Sequence, residues 1–241
     1  MENNISNYTE YYQSRKPIPF GDFLIKKLHK KFFDIAMKNI PNFQNLSLLE
    51  LGTGWGYFAE ICKKGGIKYQ GIELNGDQVL NLQNQGFNVL NTHVPPFPDG
   101  EDIDVIWISH VLEHANGYEH ARDMLISAKE RLNKGYVVVI APDYIKWKWN
   151  FWDGDWSHGF PTTKRRVTQL LNETGFNVIY STYITGNQHS PLAVLFLDFF
   201  FSIVPVDFID LILKKLTGKT LCFSFMTVFG WRQIYLIGQV D

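Results

Sequence analysis

Cysteine is almost missing from this chain: 241 residues hold two, Cys62 and Cys222. So wide a separation builds neither a disulfide framework nor a zinc cluster, and both read as reduced core thiols of a cytoplasmic protein. An excess of charge of one sign is missing too. The formal net charge is -1 and no basic run outlines a groove, so no nucleic-acid partner is expected. The opening Met-Glu-Asn-Asn-Ile-Ser-Asn lacks the basic and then apolar pattern of a secretory leader. The most apolar stretch, 191–217, is interrupted by Asp198, Pro205 and Asp207. It therefore falls short of the about 20 unbroken apolar residues of a membrane span. No internal repeat and no glycine-flanked serine elbow occurs. His110 and His114 stand four apart, but Glu113 adjoins the second histidine. That is neither His-Glu-x-x-His nor a complete metal triad, so no metal is expected.

What the chain does have is 45% apolar residues, enough to bury a substantial core. Apolar runs of strand length recur at 46–51, 68–73, 87–90, 103–108 and 135–141, separated by helix-length segments at 56–64, 75–85 and 117–132. Further strands are expected at 177–183, 223–229 and 233–240. Such alternation predicts an α/β fold built on a doubly wound, seven-stranded, mostly parallel sheet. Before it, Phe20, Leu24, Leu28, Phe32 and Ile35 recur at helical spacing. Residues 1–44 are read as an N-terminal helical cap, 45–241 as the main domain, and 187–220 as an apolar helical insertion within it.

One segment carries more chemistry than the others. Leu48 to Gly56 reads as a strand running into Gly52, Gly54 and Gly56, and Glu73 closes the next strand 21 residues after Gly52. The first glycine allows a tight turn, the second lets backbone approach a ligand, and the following helix points free N–H groups at it. An acid at that distance suits two ribose hydroxyls. A dinucleotide loop would place a small residue where this chain has Tyr57, so the spacing favours a nucleoside cofactor without a pyrophosphate.

These residues, with Pro-Phe-Pro-Asp-Gly at 96–100, Asp104 to Ile108, and His110-Val-Leu-Glu-His114, resemble the class I S-adenosylmethionine-dependent methyltransferases, especially the small-molecule group. The likeness spans roughly residues 45–183 and implies a Rossmann-like sheet with S-adenosylmethionine as cofactor and S-adenosylhomocysteine as product. By resemblance, Glu50, Gly52, Thr53, Gly54 and Gly56 line the methionine end, and Glu73 with Leu74 holds the ribose. Asn91, Thr92 and His93 flank adenine, and Ser109 with His110 completes the pocket. The family usually carries an acid after the third strand; this chain has Asn91 to Val94 there, so a neutral side chain replaces it or the contact is lost.

Methyl transfer from a sulfonium needs alignment first and a base only if the acceptor begins protonated. Candidate bases are His110, His114, Asp143 and His158. For His110 the alternative is a polar residue lining the strand end; for His114, helix surface or support behind the site. Glu113 reads as a helix-start acid. Residues 144–161 mix Tyr144, Trp147, Trp149, Phe151, Trp152 and Trp156 with Asp153, Asp155 and His158, a composition suited to an acceptor pocket, although about half of these tryptophans should be core. The resembled family places a histidine before a helix ending in Gly-Phe, as His158 stands before Gly175-Phe176, so His158 ranks first; a loop-fixing hydrogen bond is its alternative. The expected activity is methyl transfer to an oxygen, nitrogen or carbon of a small or lipid-linked acceptor. Residues 191–217 could be a lid, a peripheral membrane contact or a homodimer surface. The rivals are a noncatalytic cofactor-binding scaffold and a nicotinamide-dependent oxidoreductase.

Overall fold

The computed structural model describes residues 19–132, 134–153, 155–185 and 232–240, with Phe199, Ile203, Ile212 and Lys215 as isolated helical positions. The expected strand at 223–229, the insertion at 187–220 apart from those four positions, and residues 1–18 of the expected cap lie outside them. The chain divides into two units. One comprises Met1–Lys31 with Thr185–Trp231, and the other Phe32–Ile184 with Arg232–Asp241.

Of the first unit, the described part is chiefly the start of helix α1 (Pro19–Asn39), where Leu24 and Leu28 are buried and Asp22 pairs with Lys26 one turn on.

The second unit holds a seven-stranded sheet of order β3-β2-β1-β4-β5-β7-β6. The strands are β1 (Ser47–Leu51), β2 (Lys68–Glu73), β3 (Val89–Asn91), β4 (Val105–Ser109), β5 (Gly135–Pro142), β6 (Asn177–Thr185) and β7 (Arg232–Val240). Strands β1 to β5 pair in parallel, and β7 runs antiparallel against β5 from Gly135↔Val240 to Pro142↔Gln233. Central strands β1 and β4 are buried along their whole length, which is why they read as unbroken apolar runs rather than alternating ones. Helices α2 (Tyr57–Lys64), α3 (Gly76–Asn84), α4 (Gly117–Leu132) and α7 (Lys164–Glu173) cover the faces; the short helices α5 (Tyr144–Trp147) and α6 (Asn150–Asp153) follow β5.

Two cores flank the sheet. On one side α4 and α7 deliver Met124, Leu125, Leu132, Leu170 and Leu171 onto Ile106, Ile108 and Val139. Elsewhere aromatic rings interlock: Trp107 stacks on Phe58 at 4.0 Å and meets Tyr235 edge-on, and the Tyr235 hydroxyl donates to the Phe32 carbonyl at 3.0 Å. Helix starts carry their own caps. Asn75 Oδ1 accepts from the N–H groups of Asp77 and Gln78 ahead of α3, and Thr163 Oγ1 from Arg166 ahead of α7. Replacing Asn75 with Ala should lower stability by about 1 kcal/mol. The check is a lower urea midpoint at unchanged slope.

Strand order reverses between β1 and β4, where Leu51 is flanked by Ile72 on one side and Ile108 on the other. In such sheets the crevice beyond that reversal is where ligands bind. The loops after β1, β2 and β4 all open there.

Candidate functional site

The chain leaves β1 through three left-handed glycines, Gly52, Gly54 and Gly56, at φ 70°, 51° and 76°. At Gly52 a Cβ would also stand 2.6 Å from Val111 Cγ2, and at Gly56 one would stand 2.5 Å from Leu82 Cδ2. The left-handed backbone demands glycine at these two positions, and at Gly52 the β-branched Val111 adds crowding. Gly56 caps α2, so the helix N-terminus faces the same turn.

Glu73, the last residue of β2, is tied to this loop. Its Oε2 accepts from Gly54 N at 2.9 Å, while Oε1 accepts from Leu74 N at 2.9 Å and Asn75 N at 3.1 Å. A carboxylate so held keeps further lone pairs for hydroxyl donors. Asn91, at the end of β3, donates its amide to the carbonyls of both Glu73 and Leu74 at 2.9 Å. The neutral side chain of Asn91 thus braces the loop that carries Glu73. Thr92 and His93 follow it, with Thr92 half-buried and His93 exposed.

Beneath the loop, Glu50 is buried and accepts from the Tyr69 hydroxyl at 2.5 Å. Burial pushes its carboxyl up to about 8, with the neighbouring Glu73 charge adding and the Tyr69 hydrogen bond opposing. Glu50 is then a neutral acid at pH 7. Thr53 Oγ1 and Ser109 Oγ are buried at this end of the sheet with no partner among the described residues. Unpartnered buried hydroxyls are uncommon in folded proteins. Together with the glycine loop and Glu73 they suit a polar, nucleoside-bearing cofactor.

Beyond β4 the backbone turns sharply. His110 sits at φ 55°, an uncommon conformation for a residue with a Cβ. A 3₁₀ turn, Leu112–His114, follows and carries Glu113 into the interior, 1% exposed. His110 Nδ1 lies 3.3 Å from Glu113 Oε1, and its Nε2 lies 3.2 Å from Gln233 Oε1 on β7. Desolvation opposes the charged imidazole, but the Glu113 carboxylate and the Gln233 amide outweigh it and raise the His110 pKa. For Glu113, burial opposes ionisation and His110 overcomes it, so its carboxyl is held low. His110 is thus already engaged on both ring nitrogens, by Glu113 and Gln233, and is a poorer base than the sequence suggests.

The other candidate bases separate. Asp143, at the end of β5, is fully buried and its Oδ2 binds the Arg232 guanidinium, with Nε at 2.6 Å. Its role in this geometry is to anchor the start of β7. His158 is buried close to Glu113, because Gly159 N and Phe160 N both donate to the Glu113 carbonyl, at 2.9 and 3.0 Å. Its Nδ1 pairs with the Phe151 carbonyl, and desolvation lowers its pKa, leaving a neutral imidazole. His114 lies between, its ring edge-on to His158 at 4.8 Å. The segment 144–161 is partly core: Trp147, Phe151 and Phe160 are buried, while Trp149 and Trp156 are 82% and 68% exposed. Arg165 and Arg166 lie on an exposed helix face, Arg166 over the Phe160 ring.

Glu113 is the residue whose placement sequence reasoning missed, since it does not read as buried from its neighbours; His114 beside it is half-buried. No described helix is long and apolar enough to cross a membrane.

Against known proteins, a family model described as a methyltransferase domain matches residues 24–181. No curated protein sequence matches the chain significantly. Among solved structures, a SAM-dependent methyltransferase from Archaeoglobus fulgidus is similar at 18% identity and a TM-score of 0.59, over 88% of this chain and 94% of that one. A cyclopropane synthase from Mycobacterium tuberculosis is similar at 16% identity and a TM-score of 0.60, over 88% and 83%. An N-methyltransferase from Bradyrhizobium japonicum, in complex with S-adenosyl-L-homocysteine, is similar at 13% identity and a TM-score of 0.57, over 90% and 87%. These likenesses show the shared fold.

Proposed function

The chain belongs to the methyltransferase-domain family, and on that premise we propose that it transfers a methyl group from S-adenosylmethionine to an oxygen, nitrogen or carbon of a small or lipid-linked acceptor. The observation that carries this reading is the joint between the glycine loop and the acid after β2, where Gly54 N donates to Glu73 Oε2 across the mouth of the sheet. When bound, the cofactor supplies a methyl carbon on a sulfonium, an excellent leaving group. The chain's own residues then have to hold, orient and desolvate. Gly52, Gly54 and Gly56 admit the donor to the backbone, Glu73 accepts from ribose hydroxyls, and Leu74 lies beside it. Thr53 and Ser109 offer hydroxyls inside the pocket, and Asn91, Thr92 and His93 stand on the adenine side. Glu50 remains neutral beneath. His158, with a neutral imidazole, is better suited than His110 or Asp143 to take a proton, because each of those is already bound to a charged partner.

The acceptor's class is not chosen by the fold, since an N-methyltransferase and a cyclopropane synthase share it. The apolar composition of 191–217 supports the lipid-linked end of the range and, with it, a cytoplasmic protein that touches a membrane surface or a second copy through that stretch. Calorimetric titration of cofactor-stripped protein should give saturable binding of S-adenosylmethionine and S-adenosylhomocysteine and none of NAD. Binding of NAD alone would overturn the assignment in favour of an oxidoreductase. Donor binding without turnover across a broad acceptor panel would favour the scaffold.

A further inference from the structure

The turn after β4 and the loop before α7 meet in a cluster of which the methyl-transfer reading uses only His158. One ligand-type atom from each of Glu113, His114 and His158 lies within 4.8 Å of the others. Each side chain is oriented from behind. His158 Nδ1 faces the Phe151 carbonyl, which can only accept, so that nitrogen bears the proton and Nε2 the lone pair. His114 Nδ1 lies 2.8 Å from Ser157 Oγ, and Ser157 Oγ lies 2.6 Å from Asp155 Oδ1. The carboxylate must accept from the hydroxyl, which leaves the hydroxyl oxygen to accept from His114 Nδ1–H and again places the lone pair on Nε2. Neither Nε2 has a hydrogen-bond partner among the described residues. The third member supplies an independent sign: Glu113 is 1% exposed, its Oε1 faces His110, and its Oε2 has no partner among the described residues.

A buried carboxylate oxygen without a donor is costly. Here the carboxyl lies, counting one ligand atom from each residue, within 4.8 Å of two histidines whose Nε2 lone pairs cannot donate to it. All three atoms are bases, and what would satisfy them together is a cation. The backing of each imidazole by a carbonyl or a hydroxyl–carboxylate pair is the arrangement that orients histidine toward metals. We propose that Glu113, His114 and His158 form a binding site for a divalent first-row transition metal ion. Two imidazoles and one carboxylate suit zinc, iron or manganese better than calcium. Ligand atoms at about 2.1 Å from a common ion lie about 3 to 3.5 Å apart, so binding would draw the present spacing inward by small side-chain rotations.

Three protein ligands leave coordination positions open. An ion here could bind and acidify an acceptor hydroxyl; that use rests on the methyl-transfer reading, whereas the site itself does not.

The test uses the full-length protein stripped with a chelator and dialysed against Zn²⁺, with metal content and affinity measured by mass spectrometry and indicator competition. One ion per chain is expected. Co²⁺ in its place should give visible d–d bands, a signature of ligation. His114→Ala and His158→Ala should each lower Zn²⁺ affinity by at least about 100-fold, and Ser157→Ala, which removes only the support, by about tenfold. Substoichiometric binding, or one equivalent bound equally well by folded His114→Ala and His158→Ala, would overturn the site. S-adenosylhomocysteine titrated into the same samples separates the two readings. Retained nucleoside binding with no metal sinks this inference alone, and metal bound without nucleoside binding leaves it standing while the methyl-transfer reading fails.

Discussion

Glu73→Ala should weaken S-adenosylhomocysteine binding by about 100-fold, on the order of 3 kcal/mol. Two losses add. The carboxylate would supply the acceptors for ribose hydroxyls, and charged hydrogen bonds of that kind contribute about 1.5 to 3 kcal/mol each. It also accepts from Gly54, Leu74 and Asn75 N–H groups, so truncation leaves the glycine loop without the side chain that holds it to the tip of β2. Glu73→Gln keeps one carbonyl oxygen and should fall between, at about tenfold. Calorimetry on variants with unchanged thermal melts decides the matter. Wild-type affinity in a folded Glu73→Ala protein would remove the ribose contact from Glu73 and with it the observation on which the functional reading rests.

Why the sheet was legible and the cluster beyond it was not comes down to distance along the chain. A central parallel strand is buried on both faces, so Leu48 to Leu51 and Val105 to Ile108 announce themselves by composition. The glycine loop is equally local, because only glycine tolerates its backbone, to which Val111 adds crowding at Gly52. The expected acid 21 residues on could be counted from the βαβ repeat, and the structure places it against Gly54. A strand is also expected at 233–240, and β7 occupies that stretch, running antiparallel beside β5.

What escaped depends on partners brought from afar. Asp143 looks like a base at a strand end until Arg232, 89 residues later, is laid beside it by β7. Glu113 looks like a surface acid at a helix start, but the left-handed turn at His110 and the docking of Gly159 and Phe160 on its carbonyl draw it inside. Neither event has a local pattern. The 144–161 segment shows the same limit in reverse. Its rings suggested a pocket by composition, yet Phe151 and Phe160 are core and Trp149 is solvent-facing, a division that no periodicity predicts over helices of four residues.

Glu50→Gln should make the protein more stable at alkaline pH by roughly 3 to 5 kcal/mol relative to wild type, while leaving the two alike near pH 4.5. The argument is linkage. Burial, opposed by the Tyr69 hydrogen bond and reinforced by Glu73, raises the Glu50 carboxyl from 4.5 to about 8 in the folded chain. Between those values the native state binds a proton that the unfolded state has released, so stability is fully present below about 4.5 and falls as pH climbs to about 8. Each unit is worth about 1.4 kcal/mol, which sets the size of the effect. Glutamine has no proton to lose and keeps an oxygen for the Tyr69 hydroxyl, so its curve lacks this slope. Urea unfolding of both proteins at pH 5 and pH 8.5 isolates the difference from every other titrating group. At the alkaline end the melting temperatures should part by about 10 °C for a chain of this size. Parallel curves would mean that Glu50 is ionised in the folded protein, and then two charged carboxylates, not one, would lie beneath and beside the glycine loop.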